Sequence, residues 1–164
     1  MKNLTPNRLL IFTLLLLFSF RANAQKGSDV IRQVACYDAS LKAQADSLKQ
    51  VLYSQGFVVV REASMTMESE YEMPVIVPLN EGSWYHFAFI GDMSSKLHEL
   101  RMFDYDEKQV VYQRKYGDGK DGGNIINFSY IPKFSEYHMI KPVEVNKKKK
   151  TNICGYFIIF KKVK

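Results

Sequence analysis

Cysteine, tryptophan and histidine are scarce in this chain of 164 residues, which holds two, one and three of them. The histidines, His86, His98 and His138, show none of the close pairings of common metal sites such as HxH or HxxxH. No CxxC motif occurs, and no histidine sits in a recognisable nucleophile motif. These absences argue against a thiol catalyst, and the histidine spacing gives no sign of a metal site.

Long apolar runs are also lacking after residue 24, where none approaches the roughly 18–20 residues that span a bilayer as a helix. Residues 1–24 instead resemble a secretory signal, with Lys2 and Arg8 ahead of an apolar stretch from Leu9 to Phe20 and small residues before Gln25. We expect export to the periplasm or the medium, no transmembrane segment after cleavage, and a mature single domain at 25–164. An uncleaved membrane anchor is the alternative. The junction resembles exported proteins of the Bacteroidetes.

The mature chain has only a small excess of charge of one sign. The formal charge of the whole chain is +6, but Lys2, Arg8 and Arg21 belong to the signal segment, which leaves 20 basic against 17 acidic residues. This small excess argues against a nucleic-acid-binding protein. Four of the lysines are consecutive, from Lys147 to Lys150. They fit either a solvated hairpin tip that discourages edge association or a contact for anionic glycans or lipid headgroups.

One long helix is predicted near the start of the mature chain, at about residues 30–55. Gly56 suits the end of the helix, and Asp29 and Asp38 are both acceptable caps at its beginning. Apolar residues recur there at three- and four-residue steps and form one stripe for packing on a sheet. They are Val30, Val34, Tyr37, Leu41, Ala45, Leu48 and Leu52.

The rest of the chain, about 57–164, is predicted to be β-structure, in keeping with its aromatic content of 13%. Eight short strands with turn signals between them indicate an antiparallel sandwich or barrel. Prolines at 74 and 78 suit an edge strand, and Trp84–Ile90 has the pattern of a central strand. The predicted strands are 57–61, 73–79, 84–90, 97–105, 110–116, 125–131, 137–145 and 155–163.

From Gly82 onward the order of features resembles the jelly-roll β-sandwich of bacterial pre-peptidase C-terminal domains. The resemblance is carried by GSWYHFAF at 82–89, LHELRMFDYD at 97–106, FSYIP at 128–132 and GYFII at 155–159. Glu136 replaces the glycine usual before the late tyrosine, and the helix is foreign to the pattern. The resemblance implies a mainly β, jelly-roll-like sandwich. Together with the predicted strands and the apolar stripe of the helix, we expect about eight strands with one N-terminal helix packed on them. It also implies an accessory module without catalysis.

The two cysteines, Cys36 and Cys154, are predicted to form a disulfide, because an exported protein meets an oxidising compartment. The bond would join the helix to the start of the last strand and close a loop worth nominally about 4–5 kcal/mol. Two separate buried thiols are the alternative.

Acidic residues gather at two predicted loops and are weak candidates for calcium ligands, namely Asp104, Asp106, Asp118 and Asp121. Carboxylates on flexible loops suit Ca²⁺, but Lys120 occupies a position where an EF-type loop needs a ligand. Solvated turn residues are the simpler interpretation. No cofactor and no metal site is therefore predicted.

The residues favour a non-catalytic exported module that binds a glycan or another envelope protein. Candidate contacts are Trp84, which could stack on a sugar ring or pack in the core, and Lys147, Lys148, Lys149 and Lys150. The alternative is a carboxylate-dependent hydrolase of the cell envelope, since spacing alone does not exclude paired carboxylates. An open aromatic or basic face would favour binding. Solvent-facing carboxylates beside a deep pocket would favour hydrolysis.

Overall fold

A computed structural model describes residues 33–117 and 123–163. The predicted signal segment and two of the acidic candidates, Asp118 and Asp121, lie outside the described residues. In the described part, one helix precedes eight strands. They are α1 (Ala39–Ser54), β1 (Phe57–Met67), β2 (Val75–Leu79), β3 (Tyr85–Ile90), β4 (Ser95–Phe103), β5 (Gln109–Tyr116), β6 (Ile125–Tyr130), β7 (Glu136–Asn146) and β8 (Ile153–Lys162).

The strands form two antiparallel sheets of four. Sheet A has the order β1-β8-β3-β6, and sheet B has the order β2-β7-β4-β5. The chain passes between the sheets at most connections, and its last strand pairs with its first. This is the double-sheet order of an eight-stranded jelly roll, so the predicted fold class is confirmed.

The main core lies between the two sheets, because alternate residues of each strand point inward. In β3, Tyr85, Phe87 and Phe89 are buried there, as the alternation predicts. Phe87 stacks on Phe128 of the neighbouring strand with 5.1 Å between ring centroids. From sheet B, the inward side chains include Val77, Leu100, Met102 and Ile140.

A second core lies on the other side of sheet A, under the helix. Leu41, Ala45 and Leu52 of α1 are buried against that face. The sheet residues beneath them are Ala88, Ile90, Ile158 and Phe160. Strands β3 and β8 are therefore buried on both faces, and this explains why YHFAFI and FIIF read as apolar runs rather than as alternating ones.

The helix begins later than predicted. Asp38 is its cap, because the Asp38 carboxylate accepts hydrogen bonds from the backbone N–H groups of Ser40 and Leu41. Residues 33–38 are not helical, and Val34 and Tyr37 are exposed instead of belonging to the apolar stripe. The physical reason is a tertiary contact: the backbone oxygen of Val34 accepts a hydrogen bond from the N–H of Thr66 in β1.

The predicted disulfide between Cys36 and Cys154 is confirmed. Their Cα atoms lie 5.7 Å apart, within the range that a disulfide requires. The bond fixes the segment before α1 to the beginning of β8 rather than the helix itself. No helix in the described part of the chain is both long and apolar enough to span a bilayer.

Candidate functional site

Among the described residues, the helix does not pack on the outer face of sheet B, where Tyr112, Arg114 and Tyr116 of β5 are exposed while Leu97 and Glu99 are buried. The two hydrophobic clusters of the described residues lie between the sheets and under α1, so neither covers this face. Alternation along β4 turns Leu100 and Met102 inward and leaves Glu99, Arg101 and Phe103 on the outer side. We call this surface the sheet B face.

Strand register arranges the side chains of the sheet B face in three rows that cross β5, β4 and β7 and a fourth that crosses β4, β7 and β2. Neighbouring strands lie about 4.8 Å apart, and successive outward residues of one strand lie about 7 Å apart. Except for Leu97, the β5 and β4 residues of these rows are polar or aromatic, whereas the residues at the other end of each row are aliphatic or a lysine. The rows are Tyr116–Leu97–Val145, Arg114–Glu99–Val143, Tyr112–Arg101–Lys141 and Phe103–Met139–Ile76.

An ion-pair network holds the centre of the face. Arg101 donates from Nη2 to Glu99 at 2.8 Å and from Nη1 to Glu72 at 2.9 Å. Lys141 contacts the second oxygen of Glu72 at 2.8 Å. The hydrogen bond to Glu99 is the main cause that raises the pKa of Arg101 above its ordinary value. The guanidinium is therefore fixed in place by two carboxylates that come from different segments of the chain.

Exposed tyrosines flank this network. The side chains of Tyr112 and Tyr116 are 45% and 51% exposed although both belong to a strand. The Tyr112 hydroxyl donates to Glu99 at 3.2 Å, and the Arg114 guanidinium lies 4.8 Å from the centre of the Tyr116 ring. These contacts orient the rings while leaving about half of each side chain open to solvent. Such rings are suited to stack on an apolar ligand surface.

Trp84 lies away from the sheet B face. It precedes β3 in sheet A, is 44% exposed, and packs edge-on against Phe57 at 5.6 Å between ring centroids. The Lys162 ammonium is 5.6 Å from the centre of its indole ring. Trp84 is thus neither fully buried nor part of an aromatic row.

The four consecutive lysines, 147–150, lie in the connection between β7 and β8, and all four are exposed. The lysines lie just before the beginning of β8, whereas Trp84 contacts the end of β8. A strand of ten residues is about 30 Å long, so the structure separates the two predicted contacts. The lysine connection adjoins the sheet B face, because Val145 in the row of Tyr116 is two residues before Lys147.

The acidic candidates within the described residues form a turn. Asp104 accepts a hydrogen bond from the backbone N–H of Lys108 at 2.8 Å, and Asp106 is exposed in the same turn. No group of three or more potential metal ligands occurs in the described ranges.

The three histidines do not meet. His86 is bonded to Ser129 in sheet A, while His98 and His138 point inward from β4 and β7. His98 is paired with Glu144 of β7. Because Glu144 lies six residues along β7 from His138, the two histidines are about 20 Å apart.

A buried carboxyl, Glu144, is the most perturbed acid in the described residues. Its side chain is fully buried, and burial raises its pKa to about 8 against the lowering effect of a hydrogen bond from Ser95. His98 Nε2 lies 3.9 Å away, and burial lowers the pKa of that imidazole. Because neither group reaches solvent, the pair is not placed to act on a substrate.

A separate cleft of about 490 Å³ opens between the edge strands β5 and β6. Asp104 and Glu136 line it together with Tyr130 and Phe134. Asp104 caps its own turn, and Glu136 lies 3.7 Å from His138. This cleft is the place where solvent-facing carboxylates come closest to the pattern expected of a hydrolase.

Comparisons with solved structures find several similar chains. The chain is similar to a structure of CBM4, a carbohydrate-binding module, with a TM-score of 0.39 and 15% identity over 65% of this chain and 77% of that one. It is similar to CBM61 in complex with β-1,4-galactotriose, with a TM-score of 0.36 and 15% identity over 66% and 83% of the two chains.

A cleaved adhesin domain of Lys-gingipain from Porphyromonas gingivalis is also similar, with a TM-score of 0.38 and 7% identity over 62% of this chain and 74% of that one. No protein-family model matches the chain, and no curated protein matches its sequence.

The sheet B face was not predicted from the sequence. The signal that could have found it is an alternation of large polar and aromatic residues in two strands. Tyr112, Arg114 and Tyr116 recur at every second position of β5. Glu99, Arg101 and Phe103 do the same in β4. Such a pattern marks one solvent-facing side, but only the pairing of β4 with β5 brings the two sets together.

Proposed function

We propose that this protein is a non-catalytic binding module and that the sheet B face binds an extended polysaccharide. The observation that carries the proposal is the pair of half-exposed tyrosines, Tyr112 and Tyr116, beside the fixed Arg101 network. A flat aromatic ring offers an apolar surface for the C–H groups of a sugar. Guanidinium groups supply strong, directional hydrogen bonds for its hydroxyls.

The geometry supports a chain-like ligand rather than a small molecule. The face is a sheet surface, not an enclosed pocket, and its rows continue from Tyr116 at one end to Phe103 near the other. Those residues span about 20 Å along the strands at about 7 Å per outward position. Preformed ion pairs lower the entropy lost on binding, because Arg101 and Glu99 are already ordered.

The Cys36–Cys154 disulfide supports action outside the cytoplasm, because such bonds persist in oxidising compartments. A periplasmic or secreted location, as the signal-like residues 1–24 predict, would place the face among envelope or extracellular glycans.

Affinity electrophoresis and calorimetry against a panel of soluble polysaccharides test the proposal. The double variant Tyr112→Ala/Tyr116→Ala should bind the recognised polymer about 5- to 150-fold more weakly, since two stacking contacts contribute about 1–3 kcal/mol. Tyr53→Ala is the matched control, because Tyr53 is 50% exposed on the helix, on the other side of the molecule. Equal loss in both variants, or no binding to any polysaccharide by the unmodified protein, would contradict the proposal.

A carboxylate-dependent hydrolase remains the second candidate, and the cleft with Asp104 and Glu136 is the observation that favours it. The binding proposal predicts no release of reducing ends from any polymer that the protein binds. Release that disappears in Asp104→Asn or Glu136→Gln would favour hydrolysis instead.

A further inference from the structure

At the end of the sheet B face near Tyr116, Arg114 has hydrogen-bond donors that the ion-pair network does not use. Arg114 contacts Glu99 through Nε alone, at 3.4 Å. Within the described residues, its Nη1 and Nη2 have no hydrogen-bond partner, and its side chain is 44% exposed. Because the guanidinium is held beside the Tyr116 ring, its two remaining nitrogens form a pre-oriented fork.

The carboxylates of the face are already neutralised. Both oxygens of Glu99 accept hydrogen bonds, one from Arg101 and one from Tyr112. Both oxygens of Glu72 are also engaged, by Arg101 and Lys141. The three cations of the face thus exceed its two paired carboxylates by one charge. The face does not present free carboxylates that would repel an anionic ligand.

The lysine connection adds positive charge at the same end. The strands β5 and β7 are separated only by β4, so the row of Tyr116 reaches Val145 within about 10 Å, just before Lys147. Among the described residues, Glu70 approaches Lys149 at 4.0 Å, and both side chains are largely exposed. Such an exposed pair is weak and does not cancel the charge of Lys149 and its neighbours Lys148 and Lys150.

A buried asparagine gives this connection a defined shape. The Asn146 side chain accepts a hydrogen bond from the N–H of Lys148 at 2.9 Å and donates to the backbone oxygen of Ser94 at 3.0 Å. Its own N–H donates to Ser69 at 2.9 Å. The lysines are therefore displayed from an ordered turn rather than from a loose tail.

From these contacts we infer that the polysaccharide is acidic and that its uronate carboxylates are bound by the Arg114 fork, with the lysines of 147–150 attracting neighbouring charges. The inference rests on the proposed function of the sheet B face. A planar carboxylate matches two parallel N–H donors of a guanidinium, which a lysine cannot imitate. The lysine connection supplies longer-range attraction that depends on salt.

Matched polymers test the inference directly. The probes are polygalacturonate, alginate and hyaluronan, each beside its own carboxyl-reduced form, and dextran sulfate as a charged polymer without carboxylates. We expect binding to at least one uronate polymer, a loss of at least about tenfold for its carboxyl-reduced form, and a further loss of about tenfold between low and high salt. Preference for dextran sulfate over all three uronate polymers would overturn the assignment to carboxylates.

Variants distinguish a bidentate contact of the Arg114 guanidinium from a general attraction by positive charge. Arg114→Lys should weaken binding about as much as Arg114→Gln, because charge without the fork does not restore a bidentate contact. Replacing Lys147, Lys148, Lys149 and Lys150 by glutamine should reduce both the affinity and its dependence on salt. The control replaces three exposed lysines outside that connection, Lys42, Lys108 and Lys133, by glutamine and should change neither.

The outcomes distinguish this inference from the proposal on which it rests. Equal binding of a polymer and its carboxyl-reduced form, with the tyrosine dependence kept, would overturn the acidic ligand and leave the sheet B face as a polysaccharide site. Uronate binding that survives Arg114→Gln and the lysine changes but is lost in Trp84→Ala would overturn the inference and move the site to sheet A. Failure to bind any polysaccharide would overturn both.

Discussion

The buried acid Glu144 makes a quantitative prediction about stability and pH. Burial raises its pKa to about 8, with Asp92 adding a smaller repulsion, so the folded protein holds this carboxyl protonated near neutral pH. Its Oε2 accepts hydrogen bonds from Ser95 Oγ at 2.8 Å and from the N–H of Asp92 at 3.0 Å. Oε1 has no partner among the described residues.

The direction of the effect follows from proton binding. The unfolded chain loses the Glu144 proton near its ordinary value of 4.5, whereas the folded protein keeps it until about pH 8. The free energy of unfolding therefore decreases as the pH rises through this window, by at most about 1.4 kcal/mol per pH unit. His98 and His86 act in the opposite direction at lower pH, because burial lowers the pKa of both imidazoles below 6.5.

Between about pH 6.5 and 8 the histidines of the unfolded chain lose their remaining protons and compensate only in part, so Glu144 should dominate there. We expect urea unfolding to show a net loss of about 1 kcal/mol across this interval in the unmodified protein. Glu144→Gln should remove most of that slope, whatever it does to the absolute stability, and Glu81→Gln at an exposed turn should leave it unchanged. A flat or rising stability in the unmodified protein, or the same slope in Glu144→Gln, would refute the reasoning.

Two further predictions concern the segment around the start of α1. Replacing both Cys36 and Cys154 by serine should lower the free energy of unfolding by about 2–5 kcal/mol, because a cross-link over 118 residues restricts the unfolded chain. Thermal unfolding that is the same with and without reductant would contradict this. Asp38→Ala should cost about 1 kcal/mol by removing the cap of the helix, and Asp38→Asn should cost much less because the amide oxygen still accepts from Ser40 and Leu41. Equal losses in chemical denaturation would argue against the capping contact.

Local patterns were sufficient to predict eight strands, but β1 continues to Met67 instead of ending at residue 61, because it pairs with β8 over its whole length. The edge position of β2 followed from its prolines, and the burial of Phe87 and Phe89 followed from period two. Of the two candidate caps, Asp38 is the one that begins the helix, and the predicted start at about residue 30 was too early because the Val34 backbone is bonded to Thr66 of β1. That contact joins residues far apart in the sequence, and helical periodicity contains no information about it.

The candidate site could not be predicted from local sequence patterns, because it depends on how the strands pair. Trp84 and the lysines of 147–150 were the most conspicuous residues, yet they stand at opposite ends of β8. The sheet B face depends on which strands are neighbours and on which face the helix covers. A helix stripe such as Leu41 and Ala45 predicts that some sheet is covered, but it does not say which one.

Mapping a bound polysaccharide onto the protein by NMR tests the central claim most directly. Backbone and side-chain signals would be followed while a recognised uronate oligosaccharide is added to the ¹⁵N-labelled protein. The account predicts that the largest changes fall on outward residues of β4 and β5, including Arg101, Tyr112 and Arg114, and on the connection between β7 and β8. Changes confined to the surroundings of Trp84, or to the cleft of Asp104 and Glu136, would contradict it.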